Sequence, residues 1–321
     1  MEYRQLGRLG IKVSTICLGT MQFGWTADEE TSHSILDRSL ELGCNFIDTA
    51  DVYSSWAAGN SGGESERIIG SWLAKRAVKR EEIIIATKVR GQMGEGPNKE
   101  GLSRHHILNA VHESLARLQT DYIDLYQVHW PDKETPLEET LDTLDYLTRS
   151  GQVRYIGCSN YPAWLLTKAL WISDIKGLAR FDTLQPHYNY IYRAEFEREL
   201  QDLCLDQRIG VIPYSPLAGG FLTGQYKREG ELPNSARVEG VKKRYFNDVS
   251  FAALERMEEI GQSYEATISQ MAIGWILANP SVSSAIIGAN SISQLNETVA
   301  GADLQITAED KKTMDELTAW K

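Results

Sequence analysis

Basic residues are scarce in this chain. The 321 residues hold 33 Lys and Arg against 44 Asp and Glu, a formal net charge of −11 and a pI near 5.1. Nucleic-acid partners call for a basic face, so the balance argues against that class and favours solubility. Long apolar runs are missing too. None approaches the roughly 18 residues that a membrane helix requires. The opening stretch, MEYRQLGRLGIKV, is charged from its second residue and has no signal-like apolar core. The four cysteines, Cys17, Cys44, Cys158 and Cys204, stand singly with no CxxC pair. Their spacing and apolar context predict buried thiols in a reducing cytoplasm. No GxGxxG follows a strand-like segment, so a Rossmann cofactor site is not expected.

What the chain does have is alternation. Strand-like segments (STICLGT, NFIDTA, EIIIATKV, YIDLYQVHW, VRYIGCSN, FDTLQPHYN, GVIPYSPL, VSSAIIGAN) number eight, and helix-like segments separate them. Thr26 and Glu29 form a capping-box pattern for the first helix, and Gly43 suits its end. ESERIIGSWLAKR places Ile68, Ile69, Trp72 and Leu73 on one helical face. Pro136 and Gly151 bracket another helix. Repeated β-then-α units give a parallel sheet, and eight close into a (β/α)8 TIM barrel. Residues 1–13 are expected as a short hairpin before the barrel, and 216–240 as a long loop after strand seven. Nothing marks a second domain, so one barrel domain over 1–321 is expected.

Chemistry on such barrels sits where strands end. The residues leaving the strands are Gly19-Thr20, Asp48, Lys88, His129, Ser159-Asn160, Gln185, Tyr214-Ser215 and Gly288-Ala289-Asn290. Each alone has an ordinary use: Asp48 as a cap or turn former, Lys88 as a surface charge, His129 as a core histidine, Tyr53 as packing. Together they fit carbonyl reduction. A phenol with an ordinary pKa near 10 is a poor acid at neutral pH. Lys88 beside Tyr53 would stabilise its phenolate, and Asp48 would keep Lys88 charged. His129 would donate a hydrogen bond to the carbonyl oxygen. No side chain supplies hydride, so a cofactor is required.

The segments LGTMQFG, NFIDTADVYSSWAAGNSGGESERIIGSWL, IIIATKV, DYIDLYQVHWPD, GQVRYIGCSNY, QPHYNYIYR, GVIPYSPLAGGFLTGQY and AIIGANSISQLNETV occur in an order that resembles the aldo-keto reductase superfamily, its microbial NADP-dependent branch in particular. The resemblance covers nearly the whole chain. It implies a cytoplasmic barrel enzyme that uses no metal and reduces aldehydes or ketones with NADP(H), NAD(H) remaining open. It implies the tetrad Asp48, Tyr53, Lys88 and His129, with Tyr53 as proton donor. Ser159, Asn160 and Gln185 would hold the nicotinamide carboxamide, and Tyr214 would stack on its ring. Gly19, Thr20, Met21 and Asp48 would also meet the cofactor. Ser215, Pro216 and Leu217, with Gly219 and Gly220, would follow the pyrophosphate. Ile287, Gly288, Ala289, Asn290, Gln294, Glu297 and Thr298 would reach the adenosine end. Ser291 and Gln294 make an independent capping-box pattern there, and the N-terminus of a helix attracts phosphate.

The chain departs from NADPH-preferring members in having no basic residue at Gly288 or Asn290. Lys227, Arg228 or Arg237 in the long loop would have to substitute. Trp25, Trp56 and Trp130 follow strands one, two and four, so they are candidates to wall a substrate pocket suited to an aryl aldehyde or a sugar. His187 and Arg193 are expected in surface roles. Two other readings remain: a nucleotide-binding auxiliary subunit of the same fold with slow turnover, and a Schiff-base lyase using Lys88, which Asp48 disfavours.

Overall fold

The computed structural model describes residues 1–76 and 78–320. A two-stranded antiparallel hairpin, β1 (Tyr3–Gln5) with β2 (Lys12–Ser14), precedes the barrel. Eight parallel strands follow: β3 (Ile16–Gly19), β4 (Phe46–Asp48), β5 (Ile84–Val89), β6 (Ile123–Val128), β7 (Val153–Ser159), β8 (Thr183–Gln185), β9 (Gly210–Val211) and β10 (Ala285–Ile287). They pair in chain order from β3 to β9, and β10 pairs with β3. The ring closes where the Ser283 amide donates to Val211 O and the Ile286 amide to Pro213 O, both at 2.9 Å.

Helices fill the connections: α1 (Glu29–Glu41), α2 (Glu64–Arg76), α3 (Arg104–Leu118), α4 (Leu137–Ser150), α5 (Ala163–Lys176), α6 (Ala194–Glu197), α7 (Leu200–Gln207), α8 (Val238–Tyr245), α9 (Asp248–Gln262), α10 (Ile268–Leu277), α11 (Ile292–Ala300) and α12 (Ala308–Leu317). Three details differ from the sequence reading. The α1 cap is Asp28, whose carboxylate accepts from the Thr31 amide; Thr26 lies two residues too early. The helix-like stretch RAEFERELQDLCLDQR is two pieces, α6 and α7, because Glu199 leaves helical geometry at φ −142°. The connection after β9 is a loop only as far as Arg237; α8, α9 and α10 complete it. No helix among the described residues is long and apolar enough to cross a membrane.

Period-two alternation divides each strand's side chains between two cores. Ile16, Leu18, Ile47, Ile85, Tyr126 and Ile156 face the helices and belong to the large core that includes Leu36, Trp72 and Leu144. Cys17, Phe46, Ala86, Leu125, Ile212 and Ile286 face inward, where Leu6, Leu9 and Val13 of the hairpin plug the barrel's lower end. The plug is close-fitting: a Cβ on Gly7, which has φ +57°, would stand 2.4 Å from the Gly210 amide nitrogen. All four cysteines are free and buried, as their spacing predicts.

Candidate active site

Two residues further up each strand, the inward positions change character. Phe46 gives way to Asp48, Ala86 to Lys88, and Leu125 to Gln127. A step of two residues is about 6.6 Å along a strand. The polar layer therefore lies directly on the apolar one.

Asp48 is the centre of that layer. Its Oδ1 accepts from Lys88 Nζ at 2.5 Å, and its Oδ2 accepts from Gln127 Nε2 at 3.0 Å and Gln185 Nε2 at 2.9 Å. One carboxylate thus joins β4, β5, β6 and β8, which only the interior of a closed barrel allows. Lys88 is not the surface charge of its ordinary alternative: it is fully buried inside the barrel. It donates to Thr49 O at 2.9 Å and to the Tyr53 hydroxyl at 3.0 Å. Burial opposes its charge, but Asp48 and Tyr53 outweigh that and raise its pKa. The ammonium is therefore kept charged at neutral pH.

Tyr53 sits on the loop after β4. Ser54, at φ +69°, donates its hydroxyl to Phe23 O at 2.7 Å, and Asn60 Nδ2 donates to Gly24 O at 2.8 Å. These bonds pin the loop to the one after β3. Burial raises the Tyr53 pKa above that of an ordinary phenol, with Lys88 pulling against it. The sequence reading anticipated only the second influence. His129 follows β6, with its ring 5.9 Å from Tyr53, edge to face. Its pKa is held well below the usual value by burial and by the nearby charges of Lys88 and Arg90. It is a neutral imidazole with a buried Nδ1 that has no partner among the described residues.

A cavity of about 980 Å³ opens above this layer. Asp48, Tyr53 and His129 lie at its floor, with Gly19, Thr20, Met21, Ser159, Asn160 and Gln185 around them. Its far end is lined by Ser215, Pro216, Leu217, Gly219, Gly220, Arg237, Ile287, Gly288, Asn290, Gln294, Glu297 and Thr298. Of the expected contacts, Ala289 is buried behind this lining, its carbonyl accepting from Gln22 Nε2 at 2.9 Å. Arg237 is the one basic side chain among the described lining residues. Arg228 is paired elsewhere, with Asp248 and Glu255.

Loop geometry fixes the lining. Asn160 adopts φ +59°, donates to His129 O at 3.0 Å and accepts from the Tyr214 hydroxyl at 2.9 Å. Ser159 donates its hydroxyl to Gln185 O at 2.7 Å. At α11 the Ser291 hydroxyl accepts from the Gln294 amide, while Gln294 Oε1 accepts from the Asn290 amide rather than from Ser291's own. The capping pattern is thus half met, and displaced by one residue in its other half.

Trp25 and Trp130 line the substrate end, and Trp56 packs edge-on against Trp25 with centroids 5.6 Å apart. Trp56 and Trp130 stay 47% and 37% exposed, so core packing is not their role. The surface roles expected for His187 and Arg193 are overturned. His187 is buried and stacks between Tyr192 and Tyr214, at 4.1 and 5.1 Å. Arg193 pairs with Glu197 and lies over Trp275.

Sequence reasoning missed Gln127 and Gln22. Gln127 carries a legible signal: an amide inside a fully buried strand, in phase with Leu125. Gln22 bridges Gly19 O and Ala289 O, a contact between chain ends that no local pattern announces.

Comparisons with known proteins agree with this geometry. The model of the Aldo/keto reductase family matches residues 15–319. An uncharacterized oxidoreductase of Bacillus subtilis, YrpG, is 36% identical over 321 residues, covering 99% of this chain and 96% of its own. The versiconal hemiacetal acetate reductase of Aspergillus parasiticus is 34% identical, covering 98% and 96%. A probable voltage-gated potassium channel subunit beta of Arabidopsis thaliana is 35% identical, covering 95% and 92%. The closed eight-stranded barrel, its inward carboxylate–lysine–tyrosine chain and the match along almost the whole sequence lead to one conclusion: the chain belongs to the aldo/keto reductase family of oxidoreductases.

Proposed function

We propose that this protein reduces aldehydes or ketones, with aryl or alkyl aldehydes and sugars as the candidate classes, to alcohols using NADPH, with Tyr53 as general acid. The carrying observation is the 3.0 Å contact from Lys88 Nζ to the Tyr53 oxygen at the floor of the cavity. Lys88 donates into a lone pair of the phenol, so the phenol's own proton is free for the cavity. The raised pKa of Tyr53 keeps that proton in place at neutral pH. An alkoxide developing on the substrate is far more basic than a phenolate, so transfer from Tyr53 runs downhill, and Lys88 then stabilises the phenolate left behind. Neutral His129 retains one N–H, suited to hold the carbonyl oxygen.

The cavity's volume and lining suit a dinucleotide. NADPH supplies the hydride when bound. Ser159, Asn160 and Gln185 would hold the carboxamide, Tyr214 would face the ring, and the 215–220 segment with the N-terminus of α11 would take the phosphates. Arg237 is half-buried and its pKa is lowered by burial, but an arginine guanidinium remains charged, which favours NADPH over NADH.

A fluorescence titration of NADPH against NADH, followed by turnover of 4-nitrobenzaldehyde, tests this reading. Tighter NADPH binding, and turnover that Tyr53→Phe lowers by about 10² to 10⁴-fold without loss of nucleotide, is expected. Tight nucleotide retention with negligible wild-type turnover would favour the alternative, a regulatory or auxiliary subunit, which the potassium-channel relative brings to mind.

A further inference from the structure

Arg90 stands directly after β5, two residues beyond Lys88. Its backbone has φ +122°, a conformation that L side chains rarely adopt. A non-glycine residue held there costs roughly 1–3 kcal/mol and persists where surrounding structure over-determines it. Its guanidinium carbon lies 5.7 Å from the Trp130 ring centroid. Trp130 in turn packs against His129 at 3.9 Å and lines the substrate end of the cavity. Arg90 is half-buried and is not itself among the residues that line the cavity; Trp130, over which it lies, connects it to the substrate end.

Beyond the Trp130 ring, the guanidinium has no ionic or hydrogen-bonded partner among the described residues. Among the described residues Arg90 forms no ion pair, its side chain donates no hydrogen bond, and its Nε is buried without an acceptor. Many of the other arginines in this chain of net charge −11 do find a carboxylate. A buried donor without an acceptor is costly, and a planar fork of N–H groups matches a carboxylate in shape and charge. Its charge is also felt by His129, which it helps keep neutral.

We propose that Arg90 is a specificity-determining residue and that the preferred carbonyl substrate carries a carboxylate, held by Arg90 beside Trp130 while the carbonyl lies at Tyr53 and His129. The inference rests on the reductase reading and deepens it. The aromatic wall takes the substrate's apolar body, and Arg90 takes its anionic end.

The test compares 4-formylbenzoate with its methyl ester, two aldehydes of nearly one shape that differ in charge, with 4-nitrobenzaldehyde as reference. The wild-type enzyme is expected to favour the carboxylate in kcat/KM by about tenfold or more, the scale of a charge-assisted hydrogen bond. Added salt should erode that preference. Arg90→Met should bring the ratio to about one by raising KM for the acid far more than for the ester. Arg90→Lys should retain part of the preference. A wild-type ratio at or below one sinks the assignment even if Arg90→Met does not fold. Equal losses for acid and ester in Arg90→Met also sink it, since they would make Arg90 a prop for Trp130. If none of the three aldehydes is reduced, the reductase reading itself fails and takes this one with it.

Discussion

The two ends of the barrel are built by the same strands and obey opposite rules. At the lower end, Phe46, Leu125 and Ile212 meet Leu6, Leu9 and Val13 of the hairpin, with no charge among them. At the upper end, one pleat away, Asp48 and Lys88 are nearly or fully buried, with Gln127 and Gln185 completing their contacts. The lower end gains stability from removing apolar surface from water, about 1.5–3 kcal/mol per large side chain. The upper end gains little, because desolvating a buried ion pair offsets most of its attraction. What the upper end obtains is a fixed ammonium against a phenol. The contrast places stability and proposed chemistry in separate layers of one tube.

Substitutions should separate the layers. Lys88→Met is expected to have the largest effect. It removes the ammonium from Tyr53 and leaves Asp48 without its countercharge, so turnover should fall by 10² or more, an order-of-magnitude expectation, and stability by about 3–5 kcal/mol. Steady-state kinetics and urea unfolding would read both; unchanged kinetics would break the assignment of roles to the upper layer. Phe46→Ala comes next, on the same strand as Asp48 but below it. It should cost about 3–5 kcal/mol of stability while leaving kcat per folded molecule within about twofold. A large fall in kcat would mean that the layers are not separable.

The smallest expected effect concerns pH. Burial and the nearby Arg244 push the pKa of His187 down to about 4. The unfolded chain therefore binds a proton near pH 6.5 that the folded chain refuses until about pH 4. Stability should fall as pH drops through that window, by up to about 1.4 kcal/mol per pH unit for this group, with His129 adding in the same direction. His187→Phe should flatten the slope in thermal melts between those pH values; an unchanged slope would assign it elsewhere.

Where the sequence was easy to read, local chemistry and tertiary fate coincide. α2 runs over the residues that its apolar spacing marks, and Ser103 and Gly151 cap their helices as their types suggest. α10 went unread because nine of its ten residues are buried, which leaves no amphipathic stripe. The types needed for the site were visible at the strand exits. Gln127 and Arg90 were not singled out, since an amide in a strand and an arginine after one are ordinary until a carboxylate or a missing partner gives them meaning.

By itself the sequence determined the βα repeat, the hairpin ahead of it and the identity of the groups at the strand ends, because periodicity and residue type are local properties. Only the closed barrel decided that Lys88 is buried, that Asp48 binds three other strands at once, and that burial raises the Tyr53 pKa. Those outcomes depend on which side of each strand faces inward and on how much water closure removes, and neither quantity exists until β10 meets β3 and β9.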